Sequence, residues 1–325
     1  MERIASLLLA RLLLTGLLSA SVLSASVLLA SVLLAAAPLL GPAAQAQEQE
    51  TKASKLEGTL AKVDRTGAIT LGYREASFPL SYMSNAGPIG YSIDLCFAVV
   101  DEIKREIDRT DVKIQFKLVT PETRIPAVKS GEVDIECGST TANKERGKEV
   151  AFSPIMYVTG TKLMVKRASA YRSYRNLAGK VVVVTAGTTN EAALKALNDK
   201  NKLNMKITSA RDHEESYKLV ATGEAEAFAT DDVLLYGLIA RHRADADLMV
   251  VGEFLSFDPY GLMFRRDDPQ MAEAVRRAFE IIARNRDLME LYHKWFVRQT
   301  PTGERIGLAM NAQLSEIFRA LGLED

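Results

Sequence analysis

At 325 residues the chain is long enough for about two domains, and its 41 basic residues against 41 acidic leave no formal net charge. That balance excludes a strongly cationic nucleic-acid or polybasic membrane surface. With 47% apolar and 25% charged residues the composition is that of a globular chain, not a disordered one.

Residues 1–46 read as a secretory signal. Arg3 and Arg11 precede an uncharged run over 12–46 that closes with Ala44-Gln45-Ala46. A positive start, an apolar stretch and a small-x-small exit are the parts of an export leader. The run is long enough to span a bilayer as an uncleaved anchor, but Pro38, Gly41 and Pro42 ahead of the exit point to cleavage after Ala46. Ser-Val-Leu recurs at 21, 26 and 31, which lengthens the leader without matching any solenoid period. The leader holds Arg3, Arg11 and Glu2, so residues 47–325 carry a formal charge of −1 (0 less +1). They include no second run long enough to cross a membrane, and the expectation is an exported soluble product.

In chain order, 68–73 reads as a strand. Leu95, Val99, Ile103 and Ile107 give 94–107 one buried helical stripe. Val112, Ile114, Phe116 and Leu118 alternate with polar residues as in a half-buried strand over 112–118. The unbroken β-branched run 181–184 suits a central strand covered on both faces, and 191–197 follows as a helix. Further strands are expected at 225–229, 248–251 and 261–264, with long helical patterns over 271–296. Alternation of this kind predicts an α/β fold with mainly parallel strands. Breaks near 157–161 and 252–259 predict two crossovers, so that two segments pair to form one lobe around an inserted second. Cys96 and Cys137 both lie among apolar residues. An export compartment permits a disulfide, but spacing does not reveal whether the Cα atoms approach, and two buried free thiols are expected. Three histidines and no metal-type Cys/His spacing argue against a metal, and no cofactor is expected.

The most informative stretch is 134–146, Asp-Ile-Glu-Cys-Gly-Ser-Thr-Thr-Ala-Asn-Lys-Glu-Arg. A strand ends at Gly138, three hydroxyl residues follow, and Arg146 stands five positions after the last. Hydroxyls, loop N–H groups and a guanidinium converging at a strand end suit a carboxylate, whose two oxygens match the arginine fork. Alone, the pattern is equally a capped helix with an exposed arginine. Three other segments join it: Gly72-Tyr73-Arg74-Glu75-Ala76-Ser77, leading to Gly90-Tyr91-Ser92-Ile93-Asp94; Thr120-Pro121-Glu122-Thr123-Arg124-Ile125-Pro126; and, further on, Gly187-Thr188-Thr189-Asn190, Ser209-Ala210-Arg211-Asp212-His213 and Ala227-Phe228-Ala229-Thr230-Asp231-Asp232.

Together these segments resemble the periplasmic solute-binding proteins of ABC importers for polar amino acids, and in particular the glutamate/aspartate-binding group, from about Leu60 to the C-terminus. The resemblance implies a type II two-lobed periplasmic binding protein fold with two hinge crossovers and the ligand in the interlobe cleft. Residues 47–158 plus 259–325 would form lobe 1 and 159–258 lobe 2. It implies a monomer that delivers L-glutamate or L-aspartate to a membrane permease, with no nucleic-acid partner. By position, Arg146 and Thr141 would hold the α-carboxylate, joined by Thr189 at a helix N-terminus. Ser139 and Asp231 would receive the α-ammonium, while Arg74, Arg124 and His213 would surround the side-chain carboxylate. Three arginines and one aspartate give such a site the sign needed for a ligand of charge −1. Asp231 is preferred over Asp232 because adjacent strand residues point oppositely. The group commonly has Ser where this chain has Pro121, which removes a hydroxyl and an N–H together. The rival reading is a secreted enzyme on the same fold, a cyclohexadienyl (arogenate or prephenate) dehydratase, with Glu75, Glu136 and His213 as candidate acids or bases. No nucleophile elbow or Ser/His/Asp grouping supports it. A third reading is a receptor's sensing half, tethered by an uncleaved leader.

Overall fold

The computed structural model describes residues 55–322; the expected leader and its exit site lie outside them. Helix α1 (Gly58–Thr66) and strand β1 (Ala68–Tyr73) come first, then a small antiparallel ribbon of β2 (Ala76–Ser77), β3 (Ser81–Ser84) and β4 (Gly87–Ile89). Next are α2 (Tyr91–Glu106), β5 (Lys113–Leu118), α3 (Arg124–Ser130), β6 (Ile135–Glu136) and β7 (Val150–Phe152). Strand β8 (Tyr157–Thr159) leads out to β9 (Thr161–Lys166), β10 (Val181–Thr185), α4 (Thr189–Asn201), β11 (Lys206–Ala210) and α5 (His213–Thr222). After β12 (Ala227–Asp231), α6 (Asp232–His242) and β13 (Leu248–Val251), strand β14 (Asp258–Tyr260) leads back to β15 (Met263–Arg265). Helices α7 (Pro269–Arg284), α8 (Asp287–Tyr292) and α9 (Ala312–Ala320) complete the described chain.

Two five-stranded sheets result, ordered β5-β1-β6-β15-β7 and β11-β10-β12-β9-β13. In each, three strands run parallel and the last two pair antiparallel. The chain passes between the sheets twice, and the two passages, β8 and β14, pair with each other in register Asp258–Thr159 and Tyr260–Tyr157. This is the two-lobed type II architecture with two crossovers. The first expected break is hydrogen-bonded strand at Tyr157–Thr159, whereas the second is irregular chain over 252–257 that enters strand only at Asp258.

Alternation in β10 explains the second sheet. Val182 and Val184 enter a core completed by Leu194 of α4, whereas Val183 enters the opposite core with Tyr217 and Val220 of α5 and Leu235 and Leu238 of α6. In the first sheet Ile69, Leu71 and Ile135 face the largest core, against α1, α2 and α7. The other face is closed by Ala127 and Val128 of α3 with Met263. Strand β5 departs from expectation: Phe116 is 39% and Leu118 45% exposed. It is an edge strand paired only to β1, so one flank and much of one face are open. The helical pattern over 271–296 is broken after Asn285 by Arg286, in the left-handed region at φ 65.

The cysteines also depart from expectation. Cys96 and Cys137 are joined as a disulfide with Cα atoms 6.2 Å apart, and both are fully buried. Helix α2 lies across the sheet so that its inward Cys96 meets the residue just after β6. That proximity comes from tertiary packing across a sequence separation of 41, which no local pattern reveals.

Candidate functional site

All but one of the predicted residues lie at or shortly beyond the carboxyl end of a parallel strand, where open α/β sheets bind ligands; Arg146 instead opens the short turn Arg146–Lys148 ahead of β7. Arg74 follows β1, Ser139 and Thr141 follow β6, and Arg124 opens α3 after β5. Thr189 opens α4 after β10, His213 opens α5 after β11, and Asp231 ends β12. Helix capping fixes two of these. The Thr188 side chain accepts from Glu191 N, and that of Asp212 from Glu215 N, so Thr189 and His213 each become the first helical residue. The expected helix over 191–197 thus begins two residues earlier than its apolar pattern.

From the first sheet, Arg74 and Arg124 are both only 2% exposed. Arg124 Nη1 donates to Thr140 Oγ1 at 2.7 Å, and Thr140 Oγ1 donates to Glu136 Oε2 at 2.7 Å. Ser139 Oγ donates to Ser77 Oγ at 3.2 Å. Arg146 Nη1 donates to the Thr141 carbonyl at 2.9 Å, folding the arginine back over the motif. The Pro121–Glu122 turn lies against Gly187, whose φ of +70 and lack of a Cβ permit that approach. From the second sheet, His213 is buried, and its Nδ1 lies 2.8 Å from Thr185 Oγ1. Asp231 accepts from Asn190 Nδ2 at 2.8 Å and from the Tyr260 hydroxyl. Asp232, one residue on, turns instead to Thr159 Oγ1 at 2.6 Å.

The two halves meet at Asp258 of β14. Its Oδ1 accepts from Thr141 Oγ1 at 3.1 Å and from Thr189 Oγ1 at 2.9 Å, and the two hydroxyls lie 3.1 Å apart. Its Oδ2 accepts from Ser256. Each threonine hydroxyl has one hydrogen, so in this arrangement Asp258 takes the donors of both.

Five buried side-chain polar atoms among the described residues lack a hydrogen-bond partner, and three of them, Arg74 Nη1, Arg124 Nε and Glu136 Oε1, belong to this cluster. Native interiors rarely leave such atoms unpaired. None of Arg74, Arg124 and Arg146 forms an ion pair among the described residues. Burial, then the neighbouring Arg124, brings Arg74 down to about 9. Burial lowers Arg124 as well, and burial with Arg124 lowers Arg146 to about 10. Burial and the two nearest arginines push the His213 imidazole well below its ordinary range, which keeps it neutral. Burial, then Asp258, raises Asp231 to about 8, only partly offset by its Tyr260 and Asn190 hydrogen bonds.

Sequence reasoning passed over Asp258 and Tyr260, and assigned Glu136 only to the rival enzyme. They change the charge count. Three arginines face three carboxylates, Glu136, Asp231 and Asp258, for a formal sum of zero rather than the expected +2; the proton on Asp231 at neutral pH returns it to +1. Glu136 stood in the quoted motif two residues before Gly138, whereas Asp258 and Tyr260 had no motif to mark them. Glu75 is exposed. Among the described residues no group of His, Cys, Asp and Glu is arranged to hold a metal, and no helix is long and apolar enough to cross a membrane.

Residues 69–298 match the family described as bacterial extracellular solute-binding proteins, family 3. The L-glutamate/L-aspartate-binding protein of Pseudomonas aeruginosa is 43% identical over 271 residues, covering 83% of this chain and 89% of that one. The glutamate/aspartate import solute-binding protein of Escherichia coli is 38% identical over 264 residues, covering 81% of this chain and 86% of its own. Among solved structures, an ancestral amino acid-binding protein described as a precursor of cyclohexadienyl dehydratase superposes with a TM-score of 0.63 at 28% identity, covering 73% of this chain and 99% of that one.

Proposed function

The chain belongs to family 3 of the bacterial extracellular solute-binding proteins, and from that premise we propose that it captures L-glutamate or L-aspartate outside the cytoplasm and hands it to the permease of an ABC importer. The observation that carries the acidic ligand is the pair Arg74 and Arg124: two buried cations with unpartnered nitrogens and no carboxylate in ion-pair contact among the described residues. A side-chain carboxylate satisfies both at once, by charge-assisted hydrogen bonds. Neutral His213 adds a ring nitrogen on the opposite wall. Arg146, Thr141 and the N-terminus of α4 at Thr189 take the α-carboxylate, the hydroxyls turning from Asp258 as it arrives. Asp231 and Ser139 take the α-ammonium.

In this reading residues 47–158 with 259–325 form one lobe and 159–258 the other, hinged at β8 and β14, and the protein works as a periplasmic monomer released from its leader after Ala46. The chain is a binding protein, not an enzyme: its curated relatives above are transport proteins. The dehydratase reading is further disfavoured because Glu75 is exposed, while Glu136 is held by Thr140 and His213 by Thr185. Isothermal calorimetry with L-glutamate, L-aspartate, L-glutamine and L-asparagine tests the proposal. One or both acids should bind at least tenfold more tightly than their amides; glutamine binding as tight as glutamate would remove the acidic ligand.

A further inference from the structure

Glu136 ends β6 and is fully buried, with one oxygen held by Thr140 and the other unpartnered. Its negative charge acts on all three arginines, supporting the charged form of Arg74, Arg124 and Arg146. It touches none of them as an ion pair; its link to Arg124 runs through the Thr140 hydroxyl, which accepts from the guanidinium and donates to the carboxylate. The position is enforced by Gly138, where a Cβ would stand 2.1 Å from Glu136 Oε1 and 3.0 Å from Arg74 Cγ. The turn carrying Ser139 therefore closes directly over the carboxylate.

A carboxylate so placed has two opposed effects. It makes two buried cations tolerable while no ligand is bound, because an uncompensated buried charge is strongly destabilising. It also repels any negative group that the same cations attract. Resting on the acidic-ligand reading above, we propose that Glu136 is the positioning residue that sets acid selectivity: an internal counter-ion that holds Arg74 and Arg124 ready and is opposed by the ligand's side-chain carboxylate. It limits affinity for the acids while leaving the amides nearly unaffected.

Glu136→Gln in the full chain tests this, since it keeps the shape and an oxygen for Thr140 but removes the charge. The unliganded variant should melt at a lower temperature, yet bind glutamate about tenfold more tightly, a shift of about 1.4 kcal/mol, with glutamine unchanged. A residue that merely supports the fold would weaken stability and binding together and move both ligands alike. Thr140→Val, which cuts the hydroxyl link but leaves the charge, should not tighten glutamate binding. If Glu136→Gln does not fold, Glu136→Asp draws the charge back by one methylene and should show the same opposed shifts, smaller. Glutamate binding unchanged or weakened in the folded variant overturns the assignment. Failure of the unsubstituted protein to bind either acid would instead remove the functional reading on which it rests.

Discussion

Asp231 is where the chemistry of single residues is most exposed to measurement. Its carboxyl is raised to about 8 by burial and by Asp258, with Asp232 adding to the effect, against the hydrogen bonds from Tyr260 and Asn190. Below that value the unliganded protein holds a proton which an α-ammonium must displace. Binding should therefore release nearly one proton at pH 7, and affinity should tighten as pH rises from 6 to 8. Asp231→Asn should flatten that profile in calorimetry run in buffers of different ionisation enthalpy. The His213 imidazole is shifted the other way, downward, and its consequence is read in stability. Its folded form is neutral while the unfolded chain titrates near 6.5, so its contribution to stability is full above that pH and is lost as pH falls below it. The two arms of the cluster separate by substitution. Arg146→Ala should cost at least a hundredfold in affinity for every amino acid tested, since a hydrogen bond to a charged group is worth about 1.5–3 kcal/mol and Arg146 supplies more than one. His213→Ala should mainly narrow the gap between acids and amides. Identical binding profiles for the two would contradict that division.

Elements were legible where a single face or a single strand decided the pattern. Residues 68–73 and 248–251 form strands at the expected bounds, and the Val181–Val184 run proved covered on both faces because its alternate side chains feed two different cores. Where neighbours decide, the pattern misled. The alternation of β5 reads as half-buried, but an edge position leaves Phe116 and Leu118 open. The caps at Thr188 and Asp212 are local signals that could have set the starts of α4 and α5 to the residue, since Ser, Thr, Asp and Asn favour that position. The Cys96–Cys137 bond was beyond local reasoning, because it depends on how α2 crosses the sheet. It ties that helix to the turn that carries Gly138 and Ser139. Replacing both cysteines by Ala should lower unfolding free energy by about 2–4 kcal/mol in denaturant titration. It should also weaken ligand binding, as the turn under Ser139 loses its anchor.

At the scale of the whole molecule, the site is assembled from two sheets and the strands that join them. The motifs supplied Arg74, Arg124, Ser139, Thr141, Arg146, Thr189, His213 and Asp231, which the fold sets at strand ends and in the loops beyond them on both sheets. Asp258 and Tyr260 escaped notice because they lie on β14, far in sequence from any motif, and matter only once β14 pairs with β8 between Thr141, Thr189 and Asp231. Closure is a two-state equilibrium that a ligand biases only through contacts stronger in the closed form. The Thr141 and Thr189 hydroxyls, one from each sheet, converge on Asp258, so a ligand proposed to take them must compete with that carboxylate. Arg74 and Arg124 are proposed to hold the second carboxylate of an acidic amino acid, and the structure of the complex with L-glutamate is the decisive measurement. That carboxylate should lie within hydrogen-bond distance of both guanidinium groups, with the α-carboxylate on Arg146. Glutamate bound with its side chain turned away from Arg74 and Arg124 would contradict it.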